Sequence, residues 1–143
     1  MPPLINSSLN TNPYPIGINI PIQRGKDGYF NLNYDSVSQT KANIVNLLNT
    51  VRGERRFQPL FGSGLHSALF EQNLSTTPDV LKQIIIDDIA NWIPNVVVIN
   101  VDLSLPDETN NQLIDTYTVY IKVTFSVNNI TDSVNLALQQ NSI

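Results

Sequence analysis

The chain contains no cysteine, only one histidine, and few charges: Asp, Glu, Lys and Arg make up 14% of its 143 residues, where about a quarter is usual for soluble domains. Without cysteine there is no disulfide framework and no thiolate metal site, so redox chemistry says nothing of the compartment. His66 cannot assemble a metal site by itself. It is read as a surface or internally satisfied residue rather than a catalytic one, and neither a metal nor a cofactor is expected. No apolar run approaches membrane-spanning length, and no basic start leads into an apolar stretch. This predicts a soluble protein made in the cytoplasm, with no membrane partner. The polar surface must come largely from Asn, Gln, Ser and Thr. Such a surface is poorly guarded against association, which suits a protein that works inside an assembly.

The charges that are present are unevenly placed. Residues 1–71 carry six basic and four acidic side chains, whereas residues 72–143 carry two and eight, so the two halves have opposite signs and sum to −4. This argues against nucleic acid as the main partner, because phosphate binding needs a broad basic footprint. It permits a basic loop to meet an acidic face on a neighbour.

The densest stretch is Arg52 to Gly62, RGERRFQPLFG. Gly53 and Gly62 suit backbone conformations closed to other residues, while Pro59 lacks an amide proton and disfavours helix at Gln58. The stretch is therefore a shaped loop. Phe57, Leu60 and Phe61 are expected to anchor it to a core, leaving Glu54, Arg55 and Arg56 for fixed polar contacts. An internal ion pair within the loop accounts for these charges as well as a binding role does.

At this length the chain is most simply one domain with a substantial core. Residues 1–15 hold four of the nine prolines and read as an extended arm, leaving 16–143 as the domain. Ile16, Ile18, Ile20 and Ile22 alternate, predicting an edge strand limited by Pro21. From Asp35 to Thr50 the apolar period becomes helical, with Asp35 or Ser36 as N-cap and Ile44 and Leu48 buried. Gly64 to Glu71 makes two helical turns around His66. Thr77, Pro78 and Asp79 start a further helix through Leu81, Ile84, Ile85, Asp88, Ile89 and Trp92, which Pro94 ends.

The remainder is sheet. Val97, Ile99, Val101, Leu103 and Leu105 share one face of a strand. Tyr117, Val119, Ile121, Val123, Phe125 and Val127 share one face of a second, reached through a hairpin connection at Pro106 to Asn111. After a turn at Asn128 to Ser133, Val134, Leu136 and Leu138 mark a short last strand. The fold class is α+β: an antiparallel sheet of three to four strands, packed on one face by two longer helices and one short helix. Such a sheet leaves an open edge able to accept a strand from another chain.

Gly17 to Ile22 (GINIPI), Gly28, Leu47, Leu48 and Thr50, then GER at Gly53 to Arg55, Pro59, Phe61-Gly62, Leu65 and Phe70-Glu71 give the chain its family likeness. Over residues 16 to about 127 it resembles the small baseplate wedge proteins of contractile phage tails and the related type VI secretion baseplate component, a family long given the label lysozyme-like. There are two departures: Arg56 stands where the family often has proline, and Ile93, Pro94 and Asn95 stand where it has Glu-Pro-Arg. The resemblance implies a structural subunit of the virion tail baseplate, assembled in the host cytoplasm, monomeric alone and present in several copies around a hexagonal baseplate. Its partners would be the tail sheath protein and other wedge subunits. The sheet of residues 113–139, with Tyr120, Lys122, Thr124, Val134, Leu136 and Leu138, would receive sheath strands and start sheath polymerisation. The loop from Arg52 through Gly53, Glu54, Arg55, Arg56, Phe57, Pro59 and Phe61 to Gly62 would bind a partner, and Trp92, Ile93, Pro94 and Asn95 would meet the wedge core.

The lysozyme label also implies an alternative, murein hydrolysis. It needs two carboxylates about 5 to 9.5 Å apart across a sugar cleft. Glu54 and Glu71 are the candidates, but Glu54 stands among arginines, a poor setting for a proton donor, and aromatics are only 8% of the chain. The expectation is a structural protein without catalytic residues.

Overall fold

The computed structural model describes residues 14–26, 28–70, 78–104 and 118–139. Most of the expected arm, Glu71, the Thr77 cap and the Pro106 to Asn111 connection lie outside the described residues.

Helix α1 (Ser36–Asn49) starts where Asp35, in an extended conformation, accepts the Ser38 N–H on its carboxylate at 2.9 Å. Its inward face buries Thr40, Ala42, Ile44, Leu47 and Leu48. The helix stops at Thr50, whose extended backbone turns the chain away while its hydroxyl donates to the Asn46 carbonyl at 2.6 Å. After the loop comes α2 (Leu65–Phe70), one side of which is held by buried Leu65, with Ala68 and Leu69 leaning on the core. Helix α3 (Pro78–Trp92) turns Leu81, Ile85, Asp88 and Ile89 inward, the spacing of one helical stripe.

Three antiparallel strands, β3 (Val97–Ser104), β4 (Thr118–Val127) and β5 (Ile130–Gln139), form a sheet in the order β3-β4-β5. Val119, Ile121, Val123, Phe125 and Val127 on β4 and Val134, Leu136 and Leu138 on β5 face the helices and join Ile44, Leu48, Leu81, Ile85 and Ile89 in one core. Each such side chain contributes about 1.5–3 kcal/mol by leaving water. Directly opposed pairs such as Ile121 with Leu136 and Val123 with Val134 fix the register. A two-strand piece, β1 (Gly17–Ile18) with β2 (Leu32–Asn33), lies against α1. Buried Asn33 ties it there, donating to Gln39 Oε1 at 3.2 Å.

Three expectations are corrected. The four alternating isoleucines do not share one strand: β1 holds only Gly17 and Ile18, and Ile16, Ile18 and Ile22 are exposed. Among the described residues their strand partner is the two-residue β2, and Pro21 has no N–H to extend the ladder. In β3, Val97 and Ile99 are 67% and 56% exposed, because the register with β4 shifts between Val98 and Asn100. One extra residue reverses the facing of everything before it, so Val96 and Val98 lean on the core while Val101 and Leu103 keep the expected side. The last strand is not short. Asn128 and Asn129, at φ 50° and 64°, make a two-residue turn, and β5 pairs with β4 over its full ten residues.

Candidate partner-binding site

The shaped loop leaves α1 at Thr50 and returns at Ser63, whose N–H donates to the Thr50 carbonyl at 2.8 Å. Inside it, the Gly53 N–H donates to the Pro59 carbonyl (2.8 Å) and the Phe61 N–H to the Gln58 carbonyl (3.1 Å). Glu54 closes the first turn, its carboxylate accepting the Val51 N–H at 3.0 Å. Gly53 and Gly62 hold φ of 88° and 127°. A Cβ on Gly62 would stand 2.7 Å from the Thr50 carbonyl oxygen, so side chain and loop closure exclude one another.

Asp88 of α3 locks this loop to the core. Its carboxylate is buried, accepts from the Ser63 hydroxyl at 2.6 Å and the Gly64 N–H at 3.2 Å, and pairs with the Arg52 guanidinium. Ser63 Oγ in turn accepts the Leu65 N–H at 3.1 Å, which starts α2. One carboxylate thus fixes the loop exit, the helix that follows and the first arginine of the stretch. The ion pair of the loop is Arg52 with Asp88, and among the described residues Glu54 takes no part in one.

Arg55 lies with its guanidinium 4.1 Å from the centre of the Phe61 ring and donates to Asn46 Oδ1 at 3.2 Å. Phe61 meets Trp92 edge to face, ring centres 5.1 Å apart. Arg55, Phe61, Trp92 and Ile93, with Asn43 and Asn46 of α1, line a cleft of about 230 Å³. Tertiary structure therefore joins two segments that the sequence keeps some thirty residues apart: the loop and the site of the altered Glu-Pro-Arg motif. Ile93 is buried and spends its side chain on the core, whereas Pro94 and Asn95 are exposed, Asn95 turning the chain into β3 at φ 68°.

The anchoring expectation fails for two residues. Phe57 is 99% and Leu60 78% exposed; Phe61 and the Arg52 to Asp88 pair hold the loop instead. The tip offers Arg56, Phe57, Gln58 and Pro59 to solvent. The residues expected in the docking sheet divide between its two faces. Tyr120 and Lys122 are exposed and Thr124 half-buried on the side away from the helices, while Val134, Leu136 and Leu138 point into the core. β4 is paired on both sides, so in the three-stranded sheet β3 and β5 are the edge strands among the described residues. At β5, Asp132 meets Lys41 of α1 at 2.7 Å. Burial works to raise the Asp132 pKa, but the hydrogen bond from Lys41, the Ser133 N–H and the lysine charge outweigh it and hold it below the ordinary 3.8.

Reading the sequence had overlooked the roles of Asp88, Ser63 and Asn46. Asp88 was legible in one respect: a carboxylate on an otherwise apolar helical stripe has to find buried donors. Among the described residues no group of three acidic or histidine side chains could hold a metal, and no helix is long and apolar enough to cross a membrane.

The chain is thus an α+β domain whose charged loop is tied to α3 through Asp88. Residues 36–130 match the family described as baseplate wedge protein gp25, and the chain belongs to that family. Its role is accordingly that of a structural baseplate component. The fold is similar to that of a Geobacter sulfurreducens protein described as a tail lysozyme, at 24% identity over 74% of this chain and 90% of that one, with a TM-score of 0.55. It is also similar to a chain of the anti-feeding prophage baseplate, at 18% identity over 79% and 85% of the two chains, with a TM-score of 0.59. At these identities the likeness is one of fold. A search of curated protein sequences gave no match.

Proposed function

We propose that the chain is a wedge subunit of a contractile-tail baseplate that receives strands of the tail sheath protein by sheet augmentation and so starts sheath polymerisation. The observation that carries this reading is the outer edge of β5. A two-residue turn makes Val127 and Ile130 the closing hydrogen-bonded pair, so bonded and non-bonded pairs alternate from there along the register. The backbone groups of Thr131, Ser133, Asn135, Ala137 and Gln139 then point away from β4. The Ser133 N–H is taken by the Asp132 carboxylate at 2.7 Å; the others face outward. β5 carries no proline and no bulge, the usual protections of an edge, whereas the β3 edge is bent by its bulge. Several copies around a hexagonal baseplate, each a monomer before assembly, would present this edge to the sheath. Arg52 to Gly62 and the Trp92 to Asn95 corner would meet other wedge subunits.

The same geometry disfavours murein hydrolysis. Glu54 is exposed and engaged with the Val51 N–H, and no carboxylate lines the neighbouring cleft among the described residues, outside which Glu71 lies. We propose no catalytic role.

Ala137→Pro tests the edge. Its side chain is exposed and its N–H faces outward, so proline removes a donor needed by an incoming strand without breaking the β4 ladder. With wedge partners and unassembled sheath protein from the same genome, the native chain is expected to nucleate sheath visible by electron microscopy. Folded Ala137→Pro is expected not to; sheath growing from it as readily as from the native chain would reject the reading.

A further inference from the structure

The cleft between the loop and α1 has a one-sided chemistry. Asn46 Oδ1 already accepts from Arg55, and Asn43 Oδ1 accepts from Gln39 Nε2 at 2.9 Å. Each amide carbonyl has one lone pair engaged and one left, while the two Nδ2 amides and the remaining N–H groups of Arg55 are donors, so donors predominate among the free polar groups. Phe61 and Trp92 supply aromatic walls, and among the described residues no carboxylate lines the space. Among the described residues the ion pairs are Lys41 with Asp132 and Arg52 with Asp88, so neither Arg55 nor Arg56 has a carboxylate partner. Arg55 is nevertheless pre-positioned, stacked on Phe61 and bonded to Asn46, so little freedom is lost when it binds.

We infer that this cleft is a carboxylate socket for an acidic, partly apolar segment of a partner protein: an Asp or Glu side chain enters between Asn43, Asn46 and Arg55, and an adjoining apolar residue packs on Phe57. This rests on reading the loop as partner-binding and names the chemistry of that partner. Charge complementarity carries the choice. Two guanidinium groups with no carboxylate partner among the described residues favour an anion, and an acid held by Arg55 in a half-enclosed aromatic setting forms a charge-assisted bond stronger than a neutral one. A free small anion would fill the cleft but leave Phe57, 99% exposed and lining the hollow on which Arg55 also borders, uncovered. Phosphate backbones need a wider basic footprint than two arginines on a chain of net charge −4.

Trp92, the sole tryptophan, lines the cleft and reports on it directly. The full chain is titrated with an acetylated, amidated peptide Leu-Asp-Glu-Leu-Asp-Leu to millimolar concentration, and with its amide counterpart Leu-Asn-Gln-Leu-Asn-Leu, following Trp92 fluorescence and the indole N–H resonance. The expected result is saturable change with the acidic peptide only, weakened by salt. Arg55→Gln is expected to weaken binding by about tenfold or more, since charge-assisted bonds are lost. Asn46→Asp, which places an acid in the cleft, is expected to do the same with an unchanged melting temperature. No response, an equal response to the amide peptide, acetate or inorganic phosphate binding as tightly as the peptide, or tighter binding of a single-stranded oligonucleotide would each overturn the inference. Ala137→Pro should bind the peptide normally, so failure at the sheet edge and failure at the cleft are separately visible.

Discussion

Asp88 provides the sharpest test of how the loop is held. Truncation to alanine removes three acceptor contacts at once: the Ser63 hydroxyl and the Gly64 N–H lose their partner, and Arg52 loses its counter-charge. Ser63 is 1% exposed and cannot turn to water, so its hydroxyl bears a desolvation cost of about 1–3 kcal/mol, and the Gly64 amide adds a further part of that range. Arg52, with 53% of its side chain exposed, recovers hydration, so its share is small, at most about 1 kcal/mol. Asp88→Ala should therefore cost about 3–5 kcal/mol. Asp88→Asn should cost about 1–2 kcal/mol, because the retained oxygen can serve Ser63 and Gly64 while its NH2 displaces only the solvent-accessible arginine. Arg52→Ala should cost less than Asp88→Ala by a wide margin. Urea denaturation measures all three, and amide hydrogen exchange at Gly53 and Ser63 should accelerate in the alanine variant as the loop is released. Equal costs for Arg52→Ala and Asp88→Ala, or a cost below about 1 kcal/mol for the latter, would refute the assignment of Asp88 as the lock.

Gly62→Ala should destabilise by more than about 1 kcal/mol, since φ of 127° and a 2.7 Å approach to the Thr50 carbonyl forbid a Cβ without opening the loop, and thermal melting would show it. For Lys41 and Asp132 the sign follows from the lowered carboxylate pKa. The folded protein holds the ionised form more tightly, so the contribution is present above the ordinary 3.8 and is lost as the pH falls through the lower folded value. A Lys41→Met variant should thus differ from the native chain near neutrality and converge with it in acid. The difference should be small because both side chains are more than a third exposed, and a gap that widens with acid would contradict it.

Where local chemistry sufficed, the sequence was read correctly. The cap at Asp35 or Ser36, which the structure gives to Asp35, the helical stripe from Val37 to Leu48, the Pro78 start of α3 and the alternation of β4 all depend on neighbours within a few positions. The two glycines of the loop were legible for the same reason, since positive φ is a property of one residue. Phe57 and Leu60 were misjudged because an aromatic or leucine in a loop is compatible with core or surface alike. Nothing local announces the bulge at Val98 to Asn100 either, because Val97, Ile99 and Val101 keep perfect alternation through it. The facing of Val97 and Ile99 was settled by how β3 pairs with β4.

The sequence by itself determined the α+β class, the main helices, the buried face of β4 and the baseplate wedge family, because period, caps and motif spacing are written along the chain. Only tertiary structure decided that Asp88 holds Arg52, Ser63 and Gly64, that Arg55 and Phe61 meet Trp92 in one cleft, and that β5 stands at the edge of the described three-stranded sheet. Those contacts join residues tens of positions apart, and their partners are chosen by how helices and sheet pack rather than by any local preference of the chain.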